Sequence, residues 1–549
     1  MEIELGMPST SSCRGSGETS RPEYPETISS WLHDCRGNHS FCRFTSSPPL
    51  PSRVIDVLTR REPFLAEPNG KQRGEYVALA YCWGPNRFLN AMTFGPSSTG
   101  ITGHPNPPTN IDEHRKQIPF AALPKTLQDA ITVCRRLKIR YLWIDALCII
   151  QGDENEWKRE SCGMADVFAN ATFAMAADSS EAVERGFLDR IHHPNDTAHS
   201  ARPGCISPLS WDEPLNRRAW SLSEIIFSNR MVHFTSVEMV WECNQIRRWE
   251  CGRQEMIQDD LSDASMSFRA LRNADLARGS SMAGLYRIWD IIMRLFSRRQ
   301  INNQPGRQDR DQERLMALSR IAGQFSKTST MLTGMEDSYL AGIWRGDLLK
   351  SLLWRIDTEF HQGQPSYPYP HWRRPRQPRA PTWSWASVEG ATVIDPLTAM
   401  EVKASVGKVA VRRLDENDPF GKVVSGMLRI SGPFIDNLTV TAQFCDMNDS
   451  SNNQAQSLCL VGRSERYRFL FDVPRSDAGL GEDFCGLLLS TGYVGAGSKH
   501  KYYGILLFCQ VPGTDNTFER VGVSHSGAQF QEALAGLAAQ MEETTIVLI

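Results

Sequence analysis

The chain has 549 residues, 41% hydrophobic and 22% charged, with 60 Lys and Arg against 63 Asp and Glu for a formal charge of -3. That balance excludes a wholly disordered or fibrous chain and gives no global drive toward nucleic acid or an anionic membrane. The length predicts several domains of ordinary size. No uncharged apolar run reaches the roughly 18–20 residues that span a bilayer; the longest candidate, LWIDALCII, is short and carries Asp145. The 14 cysteines show no dense spacing and the start MEIELGMPST has no apolar core, so reduced thiols in a soluble cytoplasmic protein are expected.

Residues 1–25, rich in Ser, Thr, Gly and Pro, predict a disordered lead-in. Residues 26–74 form a short N-terminal segment in which PSRVIDV predicts a strand. Within it Cys35, His39 and Cys42 recur at spacings of four and three, with His33 close by. Soft ligands so spaced could hold part of a zinc site, but there are no paired CxxC units and a fourth ligand would have to come from elsewhere. A packed helix face is the expected use of these residues, and no metal is assigned.

Residues 75–245 predict an α/β domain. EYVALAY reads as a strand running into a turn at Cys82-Trp83-Gly84-Pro85. The next helix has Leu127, Ala130, Ile131, Cys134 and Leu137 on one face, with Thr126 and Asp129 spaced as a capping box. IRYLWI predicts a buried strand ending at Asp145; a helix over about 154–170 follows, then TFAMAA and Asp178. The alternation implies a parallel sheet covered on both faces, with Trp83, Asp145 and Asp178 at the carboxyl ends where ligands sit.

Each of these residues has a plain alternative. Asp145 either holds a ligand hydroxyl or caps the next turn, the cap being the expectation. Trp83-Gly84-Pro85 forms a cleft wall or simply seals the core. Cys148, in an apolar run with no adjacent base, is expected to be an inert buried thiol. Glu160 falls within the apolar stripe of Trp157, Met164, Val167 and Phe168. A carboxylate there must be paired, protonated or functional; it is either a general acid/base or charge stabiliser for a cleaved ligand, or a structural group bound to Arg140 or backbone amides.

Residues 246–395 predict a helical and linker region: an exposed loop at SRRQINNQPGRQDRDQ, a helix at RLMALSRIAGQF, and an extended linker at PSYPYPHWRRPRQPRAP. The Arg-rich stretch over 285–320 is expected to be a solvated loop, since acidic residues are interleaved with the basic ones. Residues 396–549 predict a β-rich module closed by a helix at QFQEALAGLAAQM and a strand at TTIVLI. GYVGAGSKH has the wrong glycine spacing for a phosphate loop and reads as a hairpin turn; HExxH, GxSxG and kinase motifs are missing.

Longer blocks carry a resemblance. YVALAYCWG, LPKTLQDAITVCRRLKIRYLWIDALCIIQGDENEWKRESCGMADVFANATFAMAA and RRAWSLSEIIFSNRMVHFTSVEMVWEC resemble the fungal heterokaryon incompatibility (HET) domain. YLAGIWRGDLLKSLLW, RAPTWSWASVEG and the closing TTIVLI resemble the region downstream of it, so the likeness covers most of residues 31–549. It implies an intracellular effector of non-self recognition that triggers death of incompatible fused cells, through self-association or another incompatibility protein. The HET domain is also similar to Toll/interleukin-receptor (TIR) domains, which implies a flavodoxin-like α/β fold. Some TIR domains cleave NAD with a glutamate in a Trp-x-x-Glu setting, a spacing that Trp157 and Glu160 share.

On that resemblance the candidate cleft comprises Tyr81, Trp83, Gly84, Asp145, Trp157 and Asp178, with Glu160 as the candidate catalytic carboxylate and NAD as a possible substrate; no cofactor is assigned. Arg218, Trp220 and Glu224 are motif residues without an assigned role. Ala80 and Ala146 replace the family's usual Ser, Gly152 replaces an Asp, and the RGWxLQE block reads Arg218-Ala219-Trp220-Ser221-Leu222-Ser223-Glu224. These departures leave a divergent, inactive paralogue as a further alternative.

Overall fold

The computed structural model describes residues 23–42, 47–84, 92–98, 109–189, 210, 212–256, 281–301, 313–357, 373–395, 397–440, 457–462, 465–472, 483–494, 501–524, 531–539 and 541–549. The expectations for the N-terminal lead-in, for Pro85 and for parts of SRRQINNQPGRQDRDQ, PSYPYPHWRRPRQPRAP and GYVGAGSKH lie outside these residues. The described chain divides into two compact units, the first running to Met256 and the second starting at Ser281.

The first unit opens with α1 (Tyr24–Asn38), β1 (Val54–Asp56), β2 (Phe64–Ala66) and β3 (Tyr76–Ala80). Next come α2 (Ile111–Lys116), α3 (Lys125–Arg136), β4 (Tyr141–Trp143), α4 (Asp145–Cys148), α5 (Glu154–Asn170) and β5 (Phe173–Ala176). It closes with α6 (Ala219–Phe227), β6 (Arg230–Phe234), β7 (Met239–Cys243), β8 (Ile246–Trp249) and β9 (Gln254–Met256). The strands form one nine-stranded sheet in the order β2-β1-β4-β3-β5-β6-β7-β8-β9. Its centre, β4-β3-β5-β6, is parallel, and every residue of β3, β5 and β6 is buried, as crossover helices on both faces require.

Three expectations change here. The segment over 26–74 is not separate, because β1 and β2 pair antiparallel onto the edge at β4. The sheet is mixed and runs beyond 245, since β6 to β9 form an antiparallel meander. The spacing of Thr126 and Asp129 is not a capping box. The residue before α3 is Pro124, and the Asp129 carboxylate instead accepts from the amides of Phe187 (2.8 Å) and Leu188 (3.1 Å). A side-chain N-cap is found instead at a different helix: Asp153, just before α5, accepts from the amides of Asn155 and Glu156, both at 3.0 Å.

In the second unit the Arg-rich stretch is no loop at its start. Met282–Ser297 is a helix that buries Leu285, Ile288, Trp289, Ile292, Met293 and Phe296, and Arg299 and Arg314 are buried as well. Its apolar residues recur at helical spacing, so packing rather than charge decides its structure. A second helix, Arg314–Thr333, sets Phe325 against Trp289 and Trp344. The β-rich end closes on itself. Asp483–Val494, Lys501–Gln510, Thr517–Ser524, Glu465–Phe471, Ser457–Gly462 and the long strand Val423–Val440 pair successively, and the last returns to the first. Leu534 and Leu537 of the helix Gln531–Ala538 join Phe469, Phe484, Ile505 and Leu507 in its core. No helix among the described residues is long and apolar enough to cross a membrane.

One buried ion pair anchors this unit. Arg520 is fully buried, makes a two-point contact with Asp472 (2.9 and 3.0 Å), and stacks 3.5 Å from the Trp354 ring. Removing one partner strands a charge in the interior, which costs about 3–5 kcal/mol. Asp472→Ala is therefore expected to destabilise the unit by that amount in chemical denaturation followed by tryptophan fluorescence, and more than the exposed-site control Lys403→Ala.

Candidate functional site

At the carboxyl ends of the parallel strands, four separated pieces of chain meet. Tyr81, Trp83 and Gly84 follow β3, Asp145 follows β4, Asp178 follows β5, and Arg218 stands at the start of α6. Asp145 is the hub. Its Oδ2 accepts from Trp83 Nε1 (3.1 Å), its Oδ1 from the amide of Ala146 (2.7 Å), and the buried Tyr81 hydroxyl interacts with the same carboxylate. Arg218 Nη1 donates to the Tyr81 carbonyl, and Arg218 also interacts electrostatically with Glu224 and Asp145. Tyr81 and Glu224 are buried, whereas Trp83, Asp145, Arg218 and Trp220 are half-buried, so part of the cluster reaches the surface.

The electrostatics follow from that enclosure. Burial pushes the Asp145 carboxyl above its ordinary range, and the Arg218 charge and the Tyr81, Ala146 and Trp83 donors only partly reverse it. For Arg218 burial acts to lower the pKa, but the Glu224 and Asp145 charges outweigh it and hold the guanidinium above its usual value. Burial, reinforced by the Asp145 charge, likewise holds the Tyr81 phenol well above its ordinary value. A carboxylate with a displaced pKa beside a fixed cation and two tryptophans can orient a hydroxyl-bearing ligand or anchor a polar partner group.

The glycine after Trp83 has a steric reason. Gly84 has φ +82°, and a Cβ there would sit 2.5 Å from the Ala182 Cβ, so only glycine lets this turn lie against the 182–183 backbone. The Gly152 that departs from the family pattern also has φ +76°, a conformation glycine adopts without cost.

The other expected residues are placed as follows. Asp178 lies at the end of β5 but is fully buried, with Oδ2 2.8 Å from Nδ1 of His233 on β6. Trp157 on α5 packs edge-on against Trp220 on α6, their centroids 6.1 Å apart. Glu160, one turn further along α5, accepts from the Ser52 hydroxyl (2.7 Å) and lies 3.5 Å from both Arg53 and Arg159 guanidinium nitrogens. Arg140, the anticipated partner of Glu160, instead pairs with the buried Asp56 at 2.7 Å. Cys148 is buried and its thiol is pushed up to about 12, first by burial, as suits an inert packing residue. Cys35, His39 and Cys42 do come together, joined by Cys243.

Three contributors were not singled out in the sequence. Arg53, buried on the N-terminal segment, pairs with Glu156 as well as approaching Glu160, and its Nε donates to the Cys148 carbonyl (2.6 Å). His233 could have been noticed as the one imidazole in the apolar strand RMVHF. Glu213, also fully buried, accepts from both the amide (2.9 Å) and the hydroxyl (2.7 Å) of Ser236.

The fold and its polar cluster thus define an α/β domain with a polar cluster gathered at the carboxyl ends of a parallel core. Residues 76–230 match the family model described as Heterokaryon incompatibility protein (HET). No curated protein and no solved structure matches the chain.

The displaced Asp145 carboxyl gives a pH dependence with a definite sign. Its folded pKa lies above the unfolded value of about 3.9, so the native state binds the extra proton. Its contribution to stability is complete below about pH 3.9 and is lost as pH rises through the folded value. In urea unfolding over that window, Asp145→Asn is expected to flatten the decline that the wild type shows; superimposable pH profiles would contradict the assignment.

Proposed function

We propose that this chain is a heterokaryon-incompatibility-related effector whose HET domain acts through self-association or binding of a partner protein, leading to growth arrest or cell death. The observation that carries the reading is the use to which the HET motif residues are put. Tyr81, Trp83, Asp145, Arg218 and Glu224 lock the ends of β3, β4 and α6 to one another. Motif residues spent in this way maintain a shaped surface at one end of the sheet, and half-buried tryptophans beside a guanidinium held by a main-chain carbonyl suit recognition of a protein. The order of the parallel strands, with the first of them inside the second and third, agrees with the flavodoxin-like pattern expected of a TIR-like domain.

The alternative, an NAD glycohydrolase, depends on Glu160. That carboxylate is engaged by the Ser52 hydroxyl and faces Arg53, which also pairs with Glu156, so its partners support a role in holding α5 to the N-terminal segment. A general acid would need a free approach to a leaving group and a proton to give.

Inducible expression of the full chain in yeast, with growth and cellular NAD followed together, separates the two. The expected result is growth arrest without NAD loss, retained in Glu160→Gln, with concentration-dependent assembly of the purified protein in light scattering. Arrest accompanied by NAD loss that Glu160→Gln abolishes would overturn the association reading in favour of the glycohydrolase.

A further inference from the structure

We infer that Cys35, His39, Cys42 and Cys243 form a structural zinc site that fastens the N-terminal helix to the sheet of the HET-domain unit. Cys35 lies on α1, His39 ends that helix, Cys42 follows in the next turn, and Cys243 is the last residue of β7. Their four ligand atoms all lie within 4.8 Å of one another. Tetrahedral zinc, with bonds of about 2.3 Å to sulfur and about 2.0–2.1 Å to nitrogen, separates its donors by roughly 3.5–3.8 Å. Small side-chain rotations close the observed set onto one ion. Three thiols and one imidazole are a donor set zinc prefers, and four protein ligands leave no open position, which marks a structural rather than catalytic site.

The surroundings are those of bound thiolates rather than of packed thiols. Cys35, Cys42 and Cys243 are all buried, yet polar hydrogens point at two of the sulfurs: Arg230 Nε donates to Cys35 Sγ (3.3 Å) and the Ile246 amide to Cys243 Sγ (3.4 Å). Arg230 also donates to the Cys42 carbonyl (3.1 Å). A dication bound by three thiolates carries a net charge of about -1, which the buried Arg230 guanidinium offsets. A packed cysteine such as Cys148 also takes an amide from its own turn; what sets this cluster apart is the buried guanidinium aimed at one of its sulfurs.

The histidine is oriented from both sides. His39 Nδ1 faces Cys243 Sγ at 3.3 Å, and Nε2 is 3.8 Å from Asp34 Oδ2. Asp34 is itself held by Arg248 (2.8 Å) and Asn38 (2.6 Å). At 3.8 Å the Asp34 carboxylate stands on the Nε2 side of the ring just beyond hydrogen-bond distance, the place a supporting carboxylate takes at metal-binding histidines. The pairing of two of the three cysteines in a disulfide would leave the third thiol and the imidazole without this purpose, and all three are free.

The full-length protein, purified without chelator under reducing conditions, tests this by elemental analysis and by exchange with Co2+. About one zinc per chain is expected, together with the visible absorption bands of tetrahedral thiolate-bound cobalt after exchange. Cys243→Ser is expected to lower bound zinc at least tenfold, while Cys251→Ser, outside the cluster, keeps it. If Cys243→Ser does not fold, the zinc content and cobalt spectrum of the wild type still decide. Folded wild-type protein that holds no zinc and gives no cobalt bands, or a folded Cys243→Ser that keeps its full zinc, would overturn the assignment.

Discussion

The end of the first unit where the motifs converge is built around one carboxylate, Asp145, and one guanidinium, Arg218. Arg218 donates to the carbonyl of Tyr81 beyond β3, and it interacts electrostatically with Asp145 beyond β4 and with Glu224 on α6. A half-enclosed cation needs anionic partners, because desolvation costs several kcal/mol that only close pairing returns. Asp145 and Glu224 supply that negative charge from the end of β4 and from α6. Their positions in turn set the turns that leave the strands, and Gly84 lets the first of these turns lie against Ala182 without a clash. Sequence blocks more than a hundred residues apart are in this sense one structural unit, and the electrostatic demand of Arg218 is what joins them.

How legible this was depended on the range of the interaction. Periodicity and strand-length apolar runs marked β3, α3, β4, α5 and β5 because those patterns arise from contacts within a few turns or across a buried face. The carboxyl-end location of Trp83 and Asp145 followed from the alternation alone. The partners of the charged residues did not follow. Arg140 and Arg53 are both plausible mates for a carboxylate on α5, and only the antiparallel pairing of β1 with β4 puts Arg140 beside Asp56 and leaves Arg53 to Glu156 and Glu160. Asp129 was misread because its spacing from Thr126 fits a local rule, while the actual acceptor geometry serves amides nearly sixty residues away. The Arg-rich helix was misread in the opposite way, its composition suggesting solvation while the spacing of Leu285, Ile288, Trp289 and Ile292 specifies burial.

Cysteine use shows the same limit. Cys35, His39 and Cys42 are visible as a local pattern, but three ligands on one short segment are ambiguous between a packed helix face and part of a metal site. The fourth, Cys243, is 201 residues beyond Cys42 and is delivered by the antiparallel meander β6–β7, a feature that periodicity does not predict. Cys148 and Cys134 are different. Burial is the one cause that raises the Cys134 thiol and the largest of those that raise Cys148, whose sulfur accepts only from an amide of its own turn among the described hydrogen bonds. Burial by itself does not distinguish a structural thiol from a ligand; the convergence of hydrogen-bond donors and an oriented imidazole does.

These two fastenings bear on what the domain can do. The N-terminal segment is joined to the sheet along β1 and β2, through Arg53 to α5, and through the cysteine cluster to β7, so it behaves as part of the HET-domain unit. Glu160 belongs to that fastening by virtue of Ser52 and Arg53. A residue that braces a helix against a neighbouring segment loses that brace whenever it swings to meet a ligand. Catalysis at Glu160 would therefore require the N-terminal segment to give way at Ser52, a cost that recognition at the Asp145–Arg218 end does not incur. The polar cluster there is already assembled, which is the pre-organisation that the proposed recognition would draw on.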